Sequence, residues 1–309
     1  MTASRRTTLG LGIALLALGL AAPVLPKWAL FLVTIAIAKG LVALGLLLLM
    51  RTGLVSFGQG LYFAAGVASD ALHIGDAVPM VLLGGLTAGV VAAALGILLA
   101  RYRAIFFAML SLAFSMILYG LLVKTSALGS TDGFNVAPRT VFGVPAASGL
   151  GRYGVYAIAA LCAFGAAVGV DRYLGTYLGR LAPAVRDNEL RVEYMGASVR
   201  NVVHLNLVIA AVLAGVGGAI TALAVGHIDP EMAYWTTSGE FVFVAILSGT
   251  TSVAAPFAGA LLLELLRSFA YEHAPNTWQL VMGSAMLAVI LFLPEGLWSI
   301  FRRRRRATT

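Results

Sequence analysis

The chain is poor in the residues on which most soluble-protein chemistry depends. Only 11% of it is charged, against 60% hydrophobic, less than half the charged share of about 25% usual in soluble domains. Its one cysteine, Cys162, excludes an intramolecular disulfide and a thiolate zinc cluster. The histidines His73, His204, His227 and His273 are scattered, with no pair at metal-ligand spacing. Lysine occurs only as Lys27, Lys39 and Lys124, none in a glycine-rich cradle, and G-x-x-x-x-G-K-[S/T] is absent. That excludes a nucleotide site of the P-loop kind. No ordered set of acids and bases lies in the apolar segments, which disfavours an integral-membrane enzyme.

What is there is long apolar runs. Marked against charges and Pro/Gly breaks, they give ten spans at about 9–26, 28–50, 53–74, 78–100, 104–124, 153–171, 202–226, 238–250, 254–273 and 277–298. A bilayer core about 30 Å thick needs roughly 20 apolar helical residues, and backbone unpaired in lipid is not tolerated. Outer-membrane strands would alternate apolar and polar residues, and these runs do not. The expected fold is therefore an all-α integral membrane bundle of about ten transmembrane helices, one domain over residues 1–309. The first run follows Arg5 and Arg6 as a signal peptide would, but "LAAPVLPKW" is a poor cleavage site, so it is read as a span.

Basic residues set the orientation. With the N-terminus cytoplasmic, inside loops hold 15 of them and outside loops only Lys27, Lys124, Arg139 and Arg152; the excess belongs inside. Both termini are then cytoplasmic. The tail 299–309, with Arg302 to Arg306, anchors to anionic headgroups of the membrane lipid, and the net charge of +8 calls for no nucleic acid.

In this topology residues 172–201 form a cytoplasmic loop containing "LAPAVRDNELRVEYMGASVRN". Pro183 suits a first helical turn and Gly196 a C-terminal cap. About 12 residues between them make a rod of roughly 18 Å. Arg186 and Glu189 are spaced to pair, Val185, Val192 and Met195 give an apolar side, and Ser198 suits the cap of the next span. The residues alone leave two readings: a loop lying on headgroups, or a docking lever for a cytoplasmic partner. On the other side, residues 125–152 form the longest external loop, with "GSTDGF" and its Thr131, Asp132 and Gly133 expected near the mouth of a pathway.

Charges inside apolar spans are costly and by default functional. Lys39 falls in the second span, Glu240 in the eighth, and Glu264 and Arg267 in the ninth. Either they make a structural tie, Glu264 with Arg267 at i, i+3 within one helix or Lys39 with Glu264 from the second span, or Lys39, Glu240 and Glu264 line a polar pathway. "GLVSFGQG" (53–60) and "AGVGGA" (214–219) allow close helix packing or a helix break. A break at Gly58 to Gly60 would turn Ser56 and Gln59 toward an aqueous cavity.

Four stretches in order along the chain carry a family resemblance: "TGLVSFGQGLYFAAGVAS" (52–69), "SALGSTDGFNV" (126–136), "AVRDNELRVEYMGASVRNVVHLNLVIAAVLAGVGGAI" (184–220) and "VMGSAMLAVILFLPEGLW" (281–298). They resemble the permease subunits of branched-chain amino-acid ABC importers, the LivM-type family. The resemblance implies that residues 184–196 are a coupling helix seated in an ATP-binding subunit, with Arg186, Asp187, Glu189, Arg191 and Gly196 at matching or adjoining positions. It implies a homologous second permease subunit, two ATP-binding subunits that bind ATP and Mg in place of this chain, which holds no cofactor, and a periplasmic or extracellular solute-binding protein. The alternative is a single-chain ion-coupled secondary transporter using Lys39, Glu240 and Glu264.

Overall fold

The computed structural model describes residues 10–12, 15, 19, 25–67, 75–125, 130–135, 139–141, 143–146, 148–273, 275–292 and 296–298. Most of the expected first span, 9–26, and the arginine tail lie outside these residues. The fold is all-α: α1 (Lys27–Arg51), α2 (Gln59–Val67), α3 (Ala77–Leu99), α4 (Ala104–Lys124), α5 (Gly149–Gly175), α6 (Tyr177–Asp187), α7 (Glu189–Tyr194), α8 (Val199–Val225), α9 (Trp235–Ser248), α10 (Ala255–His273) and α11 (Trp278–Phe292). The only strands among the described residues are two-residue pieces. β1 (Phe134–Asn135) pairs antiparallel with β4 (His227–Ile228), and β2 (Thr140–Val141) with β3 (Val144–Pro145).

Five of the helices, α1, α3, α4, α5 and α8, are long and apolar enough to cross a membrane. Their bounds follow the sequence: Arg103 and Lys124 bracket α4, and Ser148 and Ser198 cap α5 and α8 by accepting from Gly151 N and Asn201 N. α1 is the buried axis, with 94% of its most apolar window inside the protein, whereas α4 has only 17%. The face that α4 turns away from the bundle, with Ile105, Phe106, Met109, Ile117 and Leu121 exposed, suits contact with lipid.

α8 packs against α1, α2 and α3, and its glycines make that possible. A Cβ at Gly217 would lie 2.6 Å from Ala38 O of α1; one at Gly215 would overlap Gly84 O of α3, and one at Gly218 would overlap Phe63 O of α2. Close packing is thus what "AGVGGA" serves, as small residues do between membrane helices.

The third expected span, 53–74, is not one continuous helix. The chain leaves α1 through Gly53 at φ +79 and is non-helical to Gly58. α2 then runs for 9 residues, about 14 Å and half a bilayer core; residues 68–74 lie outside the described set. The cause is local: Ser56 Oγ accepts the Gly58 N–H at 3.2 Å, a turn that competes with helical pairing.

Candidate functional site

At one end of the bundle the expected single rod is two helices. α6 stops at Asp187 because Asn188 is extended (φ −162, ψ 102) and its side chain accepts the Arg191 N–H, capping α7. Pro183 lies inside α6, not at its first turn, and Thr176 caps α6 in its place. Gly196, at φ +82, does close α7, its N–H reaching Glu193 O. The expected Arg186–Glu189 pair does not form. Glu189 instead binds Arg103 at the start of α4, at 2.8 Å, and the Arg186 stem lies over Gly53. Val185 and Val192 are buried as expected, but Met195 is 73% exposed, with Leu190 at 66% and Tyr194 at 90%. Asp187 and Arg191 are exposed beside them. Arg200 donates to Ile97 O and Arg51 to Thr250 O, so the ends of α1, α3 and α8 gather at this end.

Within the bundle the break before α2 meets a second one. The 3-10 turn Pro230–Ala233 is held against the middle of α4, where Ser115 Oγ donates to Ala233 O at 2.8 Å. The first turns of α2 and α9 lie in step: Gly60 N donates to Ser238 Oγ at 2.8 Å, and the Phe63 and Phe241 rings are 5.2 Å apart. Ser111 accepts the Phe57 N–H. Two helix N-termini, each the positive end of its dipole, therefore converge among Ser56, Gln59, Ser111, Ser115 and Ser238, all at most 2% exposed. Ser56 and Gln59 face no open cavity, contrary to expectation: both are 0% exposed. Ser56 is used by its own turn, and neither Gln59 Oε1 nor Nε2 has a hydrogen-bond partner. The sequence reading missed the serines of α4 and α9, although Ser111 and Ser115 stand at helical i, i+4 spacing.

The intramembrane charges form one neutral group. Lys39 Nζ binds Glu264 Oε1 at 2.6 Å and Glu240 Oε1 at 2.7 Å; Arg267 binds Glu240 Oε2 at 2.5 Å and lies 3.7 Å from Glu264 Oε1. Two cations and two carboxylates thus join α1, α9 and α10. At the other end of the bundle, Gly133 (φ +67) lies so close to Ile228 O that a Cβ would overlap it, so the 130–135 loop is clamped onto the turn after α8. Thr131 and Asp132 are exposed beside that clamp.

Non-helical backbone inside an apolar bundle persists only where protein buries it or a polar path requires it, and together with the spanning helices it defines a polytopic membrane permease. The chain belongs to the family described as branched-chain amino acid transport system / permease component, whose model matches residues 28–291. It is similar to the high-affinity branched-chain amino acid transport system permease protein LivM of Escherichia coli, 27% identical over 288 residues, or 81% of this chain and 65% of that one. LivM of Salmonella typhimurium is 26% identical with the same coverage. BraD of Pseudomonas aeruginosa, named as a permease protein of the same kind of system, is 26% identical over 144 residues, 46% of each chain. The chain spans 65% of the length of the two LivM proteins. No solved structure matches it.

Proposed function

We propose that the chain is the membrane-spanning subunit of an ATP-driven importer for a small polar solute, a branched-chain or related amino acid or a similar small organic solute, delivered by a solute-binding protein. It forms the pore with a homologous second permease chain, and two ATP-binding subunits hold ATP and Mg. The observation that carries this reading is the α6–α7 hairpin. Leu190, Tyr194 and Met195 project as an exposed apolar tip beside charges of both signs, Arg186, Asp187 and Arg191. A headgroup-lying helix would favour basic residues alone; a mixed rim around an apolar tip suits a protein groove.

The hairpin is also tied to the bundle. Glu189 grips Arg103 at the start of α4, and α4 carries Ser111 and Ser115 at the break. Displacing the hairpin therefore displaces the helix that holds the two breaks together, and the Gln59 amide would find its partners in solute or water as they part. The external Thr131–Gly133 turn, at the far end, is the reading's docking point for the solute-binding protein. An ion-coupled transporter is less well supported, because Arg267 completes a neutral group and leaves neither Glu240 nor Glu264 as a lone carboxylate.

The test is coupling. Tyr194→Ala should weaken ATPase-subunit binding by about 2 kcal/mol or more, the range of a central interface residue, while the permease stays inserted and stable. Glu189→Arg and Arg186→Glu should uncouple hydrolysis from uptake. The exchange Arg103→Glu with Glu189→Arg should restore coupling lost by Glu189→Arg alone. Normal, ATP-dependent uptake in all three single variants would refute the hairpin's role; uptake that follows an ion gradient without ATPase subunits would favour the ion-coupled reading.

A further inference from the structure

At the end of the bundle away from α6 and α7, the first turns of α1, the start of α5 and the last turn of α8 enclose a cleft of about 540 Å³. Its inner wall is apolar and closed: Leu30 and Val155 are 4% exposed and Leu223 9%. Its mouth carries Trp28 and Phe31, 65% and 49% exposed. Lys27, Arg139 and Arg152 also line it, and no acidic side chain does among the described residues. The positive ends of α1 and α5 and the negative end of α8 all reach the cleft, and the exposed side chains of Lys27 and Arg152 add to its positive charge.

A free inorganic anion would have no use for the apolar half of this cleft, and an uncharged apolar molecule none for its cations. A volume within the roughly 300–1,000 Å³ of ligand sites holds a headgroup with the first part of an apolar stem. An exposed tryptophan at the mouth belongs at the level where headgroups meet acyl chains, and guanidinium groups suit phosphate oxygens. We propose that this cleft binds an anionic phospholipid, its phosphate between the exposed Lys27 and Arg152, and one acyl chain along Leu30, Phe31 and Val155. Such a lipid joins the start of α1 to α5 and α8 and steadies the axis of the bundle. The assignment does not depend on the transported solute or on which side of the membrane the cleft faces.

The full chain is placed in nanodiscs of phosphatidylcholine with a minor share of phosphatidylglycerol, and the lipid retained after extraction is counted by native mass spectrometry. The wild type should retain phosphatidylglycerol selectively. The double variant Lys27→Gln/Arg152→Gln should bind it roughly thirtyfold more weakly, since each charge near the surface is worth about fivefold. The charge-matched control Arg101→Gln/Arg180→Gln, on exposed residues at the other end, should retain it as the wild type does. Unchanged retention in the first variant, equal loss in both, or equal retention of the two lipids overturns the proposal. Because the first variant could fail to fold, the wild type is also melted with added phosphatidylglycerol or inorganic phosphate. The lipid alone should raise the midpoint; an equal rise with phosphate makes the site one for a free anion and overturns the lipid assignment.

Discussion

Lys39, Glu240, Glu264 and Arg267 survive inside an apolar bundle because each is compensated. Lys39 reaches both carboxylates and Arg267 approaches both from the other side, so the group is neutral and no single pair carries it. Removing one member of a buried ion pair costs about 3–5 kcal/mol, because the partner stays buried and uncompensated. Lys39→Met should accordingly lower the unfolding midpoint in detergent and the yield of folded protein. Lys39→Met with Glu264→Gln should recover part of the loss; a single variant as stable as the wild type would mean that the charges do not hold α1 to α9 and α10. Gln59 is the opposite case, a fully buried amide with neither heteroatom partnered. Each such atom costs about 1–3 kcal/mol, and an apolar side chain of similar shape removes that cost. Gln59→Leu is expected to be as stable as the wild type or more so, yet to lower uptake. A less stable variant with normal uptake would make Gln59 a packing residue only.

Helix elements show where the sequence was readable. α4 matches the expected span at 104–124 because its apolar run is bracketed by charges, and hydropathy depends on nothing else there. The stretch 53–74 is also a largely apolar run but does not form one helix, since hydropathy ignores the competing turn at Ser56 and the contact of Gly58 with the Ser111 carbonyl. In the same way, the spacing of Arg186 and Glu189 allows a pair, but Asn188 ends the helix between them and frees Glu189 for Arg103. The i, i+4 spacing of Ser111 and Ser115 was too weak a signal to single them out, and Ser238 had none, because a serine in an apolar helix usually bonds its own preceding turn and only the fold reveals another partner. The packing of α8 makes its own prediction. Gly215→Leu would drive a side chain into Gly84 O and Ala88 Cβ, and overpacking of a tight contact costs about 1–3 kcal/mol or more. Thermal unfolding should show a large loss, whereas Gly165→Leu, at a glycine of α5 with nothing within 4 Å, should leave the midpoint nearly unchanged.

The whole molecule has two chemically distinct ends, and its function depends on which faces the cytoplasm. Arg103, Arg186, Arg191 and Arg200 collect at the α6–α7 end, through contacts with Glu189, Gly53 and Ile97 O. Lys27, Arg139 and Arg152 share the opposite end around the cleft. Basic residues accumulate on the cytoplasmic side, and from the count of 15 against 4 in the sequence we expect α6 and α7 there. The test starts from Cys162→Ala, which removes the one native thiol, half-buried in α5, and adds single cysteines at the two ends. Thr131→Cys, on the exposed turn, should react with a membrane-impermeant maleimide applied to intact cells. Ser198→Cys should react only after the membrane is opened, with a loss of about 1 kcal/mol in stability because Ser198 caps α8. Labelling of Ser198→Cys from outside would invert the bundle, put the hairpin beyond the reach of any cytoplasmic ATPase, and leave the Arg103–Glu189 tie a feature of an external face with no lever to hold.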